Sequence, residues 1–179
     1  MSGTANERVK VKLNNMKTKR KNAVAGKSSP RAVRFKKILV PVDFSKCSDK
    51  AVSYAREFAA QHRGELLLLH VVEPIAYPVE VGFPSLAALP PANDYERVRR
   101  ERLATLHKRV SASGAKASAK LRVGKPYFEI TRAAKEFAVD LIIISTHGHT
   151  GLSHVFLGST AERVVRHAEC PVLTIRCRK

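Results

Sequence analysis

The sequence predicts an α/β fold: an open doubly wound five-stranded parallel sheet with helices on both faces. From Lys36 onward, apolar runs of strand length alternate with amphipathic segments of helix length, which is the pattern of βαβ units. The runs "ELLLLHVV" and "DLIIIS" are apolar without polar alternation, as expected of central strands covered on both sides. Parallel crossovers are almost always right-handed, so strands and helices in this alternation close into an open, doubly wound sheet.

"KKILVPV" gives the first strand. "SKCSDKAVSYAREFAAQHRG" follows as a helix with Val52, Ala55, Phe58 and Ala59 on one face and Gly64 near its stop. "ELLLLHVV" is short enough to be a strand rather than a buried helix. Residues 73–93 hold five of the nine prolines and can continue neither helix nor sheet for long. A connection of that length is either a cover or contact loop or a plain surface excursion. "DYERVRRERLATLHKRVSASG" reads as a second helix with Val98, Leu103, Leu106 and Val110 inward and an arginine-rich solvated face. "KASAKLRVG" is the third strand, and "KPYFEITRAAKEFAV" the third helix with Pro126 suited to its first turn. "DLIIIS", "GSTAERVVRHA" and "CPVLTIRC" complete the series as strand, helix and strand.

The 179 residues suffice for one globular domain and a tail. Residues 36–179 form the domain. Residues 1–35 carry ten Lys or Arg against Glu7 alone, half of the net charge of +18, and too few apolar residues to offset ordering entropy, so a disordered basic tail is expected. Three readings of it stay open: a solvated extension, a handle for nucleic acid or another polyanion, and a transit peptide. No run approaches the roughly 20 apolar residues that span a bilayer. A cytoplasmic protein without membrane contact is expected, with Cys47, Cys170 and Cys177 as reduced thiols, since their odd number and spacing match no zinc or redox motif.

The chemistry concentrates between the fourth strand and the fourth helix. "STHGHTGLSHVFLGSTAE" places glycines 148, 151 and 158 before a helix whose start carries Ser159 and, three residues on, Glu162, a capping-box pattern. Unpaired helix-end amides favour an anion, and the glycines allow backbone to approach phosphate oxygens. Asp43 follows the first strand and faces the same crevice if strands one and four are neighbours, where its carboxylate suits ribose hydroxyls. Taken singly, each feature has a plainer account: turn glycines, a capping serine, an aspartate that starts its helix. Neither a Walker A pattern nor G-x-G-x-x-G occurs, which argues against a P-loop NTPase or a dinucleotide enzyme. His147, His149 and His154 lack partners at metal-ligand spacing and read as polar loop residues.

These residues resemble the universal stress protein family over all of 36–179, from "KILVPVDFSKCSDKAVSYA" and "LLLLHVVEP" to the closing block "STHGHTGLSHVFLGSTAERVVRHAECPVLTI". The resemblance implies a five-stranded parallel α/β fold of strand order 3-2-1-4-5 and a homodimer through the last strand, here Pro171 to Ile175. It implies ATP, with Mg2+, as the ligand of those members that keep a loop of the form G-2x-G-9x-G-[S/T]. Carried over by position, Pro41, Asp43 and the backbone of Val71 surround adenine and ribose, while residues Ser145 to Gly151, among them His147 and Gly148, wrap ribose and phosphates with Gly158, Ser159 and Thr160. One departure stands out: the first motif glycine is Ser145. If that position needs positive φ, serine costs roughly 1–2 kcal/mol. The expected function is therefore an ATP-binding regulatory dimer in stress response. The alternative is a nucleotide-free protein-interaction module. A slow ATPase is a third option, with His147 or His149 as its base.

Overall fold

The computed structural model describes residues 34–74, 92–146 and 157–177. The basic tail, most of the 73–93 connection, and the loop bearing His147, Gly148, His149, Gly151 and His154 lie outside them. The elements run β1 Lys37–Pro41, α1 Lys46–His62, β2 Glu65–Val72, α2 Ala92–Ala112, β3 Ala117–Val123, α3 Pro126–Glu136, β4 Leu141–Ser145, α4 Ser159–His167 and β5 Val172–Ile175. The strands are all parallel and ordered β3-β2-β1-β4-β5, as the sequence predicts. None of the described helices is long and apolar enough to cross a membrane.

Side chains alternate across each strand, so every central strand feeds two cores. Ile38, Val40, Leu66, Leu68 and Ile143 pack under α1 and α2, against Ala51, Val52, Ala55, Leu103, Leu106 and Val110. Leu39, Leu67, Leu69, Ile142 and Ile144 pack under α3 and α4, against Ile130, Ala133, Ala161 and Val164. Each fully buried leucine or isoleucine contributes roughly 2 kcal/mol. On the inner face of α2, Leu103, Leu106 and Val110 are buried as expected, but Val98 is 45% exposed. The apolar stripe does not extend that far back toward the N-terminus of α2.

The helix ends depart from the simplest readings. In α1 the left-handed residue is Arg63 (φ 53°), whose N–H donates to the carbonyls of Ala59 and Ala60. Gly64 is needed for another reason. A Cβ on Gly64 would sit 2.5 Å from the Phe35 carbonyl oxygen, so the chain entering β1 passes directly over it. In α4 the N-cap is Gly158 rather than Ser159, and no side chain caps the helix. The Gly158 carbonyl accepts the Glu162 amide at 2.9 Å. That makes Ser159 the first helical residue, so the capping box does not form, and Glu162 instead pairs with Arg166 at 2.8 Å.

The cysteine expectation is also corrected. Cys47 and Cys177 are joined in a disulfide with Cα atoms 5.4 Å apart, and among the described residues Cys170 alone remains a thiol. The partners are 130 residues apart in sequence. Only the closed fold, which sets the end of β5 beside the first turn of α1, brings them together.

Candidate functional site

The sheet opens where β1 meets β4. The β1–β2 ladder runs over five register positions, from Lys37–Glu65 to Pro41–Leu69, and β4–β5 runs over four, from Ile142–Val172 to Ser145–Ile175. Between β1 and β4 it covers only Ile38–Leu141 and Leu39–Ile142. Proline supplies part of the reason. The Val42 N–H donates to Leu69 of β2, and N–H groups alternate in direction along a strand, so position 41 would donate toward β4. Pro41 has no N–H to give.

The resulting crevice has a cavity of about 320 Å³. Leu69, Val71, Ile130 and Ile144 give it an apolar floor, with Pro41 and Asp43 on one lip and Ser145, Gly158, Ser159 and Thr160 on the other. Seven of the ten residues singled out from the sequence therefore line one cleft: Pro41, Asp43, Val71, Ser145, Gly158, Ser159 and Thr160. The other three, His147, Gly148 and Gly151, lie outside the described residues. Thr146, within the stretch Ser145 to Gly151 carried over from the family, lines the cleft too, while Pro126, Ile130 and Glu73 also line it and were missed in the sequence. Pro126 and Ile130 read there only as helix residues, and nothing local marks which face of α3 meets β4.

Each lip is braced. Asp43 Oδ1 accepts from the Ser45 amide at 3.0 Å and the Ser45 hydroxyl at 2.6 Å. Ser45 in turn N-caps α1 by accepting from the Ser48 amide at 3.2 Å. Asp43 thus helps start its helix, the plainer role, and the same bonds fix its carboxylate at the lip. Opposite, the Gly158 N–H donates to the Thr146 carbonyl at 2.7 Å, and the Thr146 N–H donates to the Ile175 carbonyl at 3.0 Å. The first bond holds the neck of the glycine loop shut. Amides at the start of α4 have no intrahelical acceptor and point from the helix end, where the dipole favours an anion.

The third wall rests on an ion cluster. Glu129, buried in the first turn of α3, pairs with Arg122 at 3.4 Å and Arg132 at 3.1 Å, and Arg122 also reaches Glu136 at 2.5 Å. A buried carboxylate is tolerable only with such partners. Gly124 (φ 148°) leaves room for it, since a Cβ there would sit 3.0 Å from Glu129 Cγ.

Behind the Asp43 lip lies His70, a residue hidden in the apolar "LLLLHVV" run. It is buried, its Nδ1 is 2.7 Å from the Val42 carbonyl, and its ring lies 4.5 Å from that of Phe44. Burial pushes its pKa down, outweighing the bond to Val42, which raises it; Arg99 and Arg102 lower it further and Asp43 opposes them. The neutral ring donates from Nδ1. Phe44 itself is left-handed (φ 65°), an unusual conformation for a bulky residue, and is covered by the Arg102 guanidinium 4.6 Å from its ring.

A family model described as the universal stress protein family matches residues 34–176. The chain belongs to the universal stress protein family. A universal stress protein of Methanocaldococcus jannaschii is 32% identical over 143 residues, covering 79% of this chain and 82% of its own length. Among solved structures, the universal stress protein UspA of Lactobacillus plantarum is 29% identical with a TM-score of 0.68, covering 80% of this chain and 99% of that one. Two more distant universal stress proteins, each 21% identical, share the fold. One is a complex with cAMP at a TM-score of 0.61, covering 80% of this chain and 98% of its own. The other, from Archaeoglobus fulgidus, is a complex with dAMP at 0.56, covering 80% and 99%.

Proposed function

We propose that this universal stress protein binds ATP, with Mg2+, in the β1–β4 cleft and acts as a regulatory dimer in stress response. The observation that carries the reading is the placement of opposite chemistries across one crevice. A braced carboxylate stands on one lip, a helix N-terminus with its loop neck held shut stands on the other, and an apolar floor lies between. That set matches a ribose, a phosphate chain and a flat base in turn. The cAMP and dAMP complexes speak for the fold at their level of identity; the ligand class is argued from the cleft itself.

The nucleotide-free alternative rested on Ser145. In the structure Ser145 is the last residue of β4 and is not among the positive-φ residues. The φ penalty for a serine in place of glycine therefore does not arise. Binding rather than turnover is the reading, because hydrolysis would further need a positioned base, for which the sequence offers His147 or His149.

The test is isothermal titration of ATP with Mg2+ into nucleotide-stripped protein, beside Gly158→Val. Gly158 has φ −67° and ψ 152°, which any residue adopts, so the variant should fold while its side chain obstructs the helix end. We expect affinity to fall at least about tenfold, a loss near 1.4 kcal/mol. Equal affinity in the two proteins would remove the site. Dimerisation is proposed through β5, an edge strand of the sheet, and sedimentation of Leu173→Lys as a monomer would support it.

A further inference from the structure

We propose that Cys47 and Cys177 form a reversible redox clasp that ties together the supports of the two cleft lips, so that the thiol–disulfide state of the cell sets the ligand affinity of the cleft. The affinity part rests on the nucleotide reading above; the clasp itself does not.

The argument is one of placement. Cys47 is the second residue of α1, in the turn capped by Ser45, and Ser45 holds Asp43. Cys177 lies two residues beyond Ile175, whose carbonyl accepts the Thr146 amide at the neck of the glycine loop. The disulfide therefore joins the support of one lip to the support of the other. Lys50 reinforces the junction, with Nζ donating to the Arg176 carbonyl at 3.0 Å. No other covalent link spans the β1–β4 opening among the described residues.

The chemistry suits reversal. Cys47 is in the first turn of α1, with Lys46 before it and Lys50 three residues on. The Cys47 thiolate attacks a low-molecular-weight disulfide, forming a mixed disulfide and releasing one small thiol. The Cys177 thiolate then attacks the Cys47 sulfur, forming the intramolecular bond and releasing the second. Two protein thiols are oxidised and one small disulfide is reduced to two thiols, which carry away the protons. Cys170 stands apart, with burial raising its thiol pKa, so it competes poorly as attacker.

The experiment uses the full chain equilibrated with oxidised or reduced glutathione, with Cys177→Ser and Cys170→Ser as companions. Thiol alkylation with mass spectrometry should show Cys47 and Cys177 protected together on oxidation and labelled on reduction, with Cys170 labelled throughout. The oxidised protein should melt roughly 5 °C or more higher. Amide exchange at Thr146 should speed up on reduction while the β1–β2 ladder stays protected. ATP affinity should fall about fivefold or more on reduction, in the parent and Cys170→Ser but not in Cys177→Ser. Identical exchange at Thr146 in both redox states, or equal ATP affinity in both, would overturn the proposal. No ATP binding in either state, with the exchange difference intact, would overturn the nucleotide reading and leave the clasp standing.

Discussion

At the amino edge of the sheet Asp140 Oδ2 accepts from the amides of Lys36 and Lys37 at 2.8 and 2.9 Å, and the Asp140 amide returns a bond to the Lys37 carbonyl at 2.9 Å. Gly64 packs there against the Phe35 carbonyl. At the carboxyl edge the same two strands, β1 and β4, share no ladder beyond Leu39–Ile142, and the space between them is the cleft. Backbone groups at one edge are satisfied by the protein; at the other the β1–β4 ladder stops and a cleft opens in its place. The difference shows where this chain spends residues on stability and where it withholds them.

The largest effect expected from breaking the amino edge is Gly64→Val, which forces side-chain atoms into the Phe35 carbonyl and should cost about 3 kcal/mol in chemical denaturation. Asp140→Ala is milder. Its two orphaned amides sit near solvent and can turn to water, so about 1 kcal/mol is expected, with little change in ligand affinity. If Asp140→Ala weakened ATP as strongly as Gly158→Val, the division between the edges would be wrong.

At the carboxyl edge, His70 should make stability depend on pH. Burial lowers its folded pKa below the unfolded value of about 6.5. Between the two the unfolded chain binds more protons, so stability is complete above about pH 6.5 and is lost as pH falls through the folded pKa. Unfolding curves of His70→Gln, which keeps a donor for Val42 but does not titrate, should lack this part of the slope. The smallest effect is that of Ser145→Gly. With no φ penalty to relieve, ATP affinity should change less than about threefold by titration, well under a tenfold, 1.4 kcal/mol step. A larger gain would mean that the strand end rearranges when ligand binds.

Much of the fold was legible because its signals are local or periodic. Apolar runs such as Leu66–Leu69 and Ile142–Ile144 can only be central strands, and Pro126 marks a helix start by its own geometry. Asp43, Gly158 and Ser159 were legible because strand ends and helix starts converge at a switch point in a doubly wound sheet, whereas Pro41, Val71, Ser145 and Thr160 were legible only through the resemblance to the family. Features set by distant parts of the chain were not. Nothing around Cys47 announces Cys177, the "STAE" pattern cannot tell whether the N-cap is Gly158 or Ser159, and His70 is disguised by its apolar neighbours. Phe44 gives no sign of φ 65°, because bulky residues enter that region only when the surroundings, here His70 and Arg102, hold them there.

The short β1–β4 ladder has a mechanical consequence. The sheet is two leaves, β3-β2-β1 and β4-β5, laddered to each other only near Asp140 and tied again beyond the strand ends by the Cys47–Cys177 disulfide. A molecule lying from Asp43 to Gly158, as proposed for the nucleotide, would touch both leaves and act on them as a bolt does, far from that ladder. Occupancy would then be felt as stiffness throughout the domain, including at the β5 edge, without any element having to change its fold.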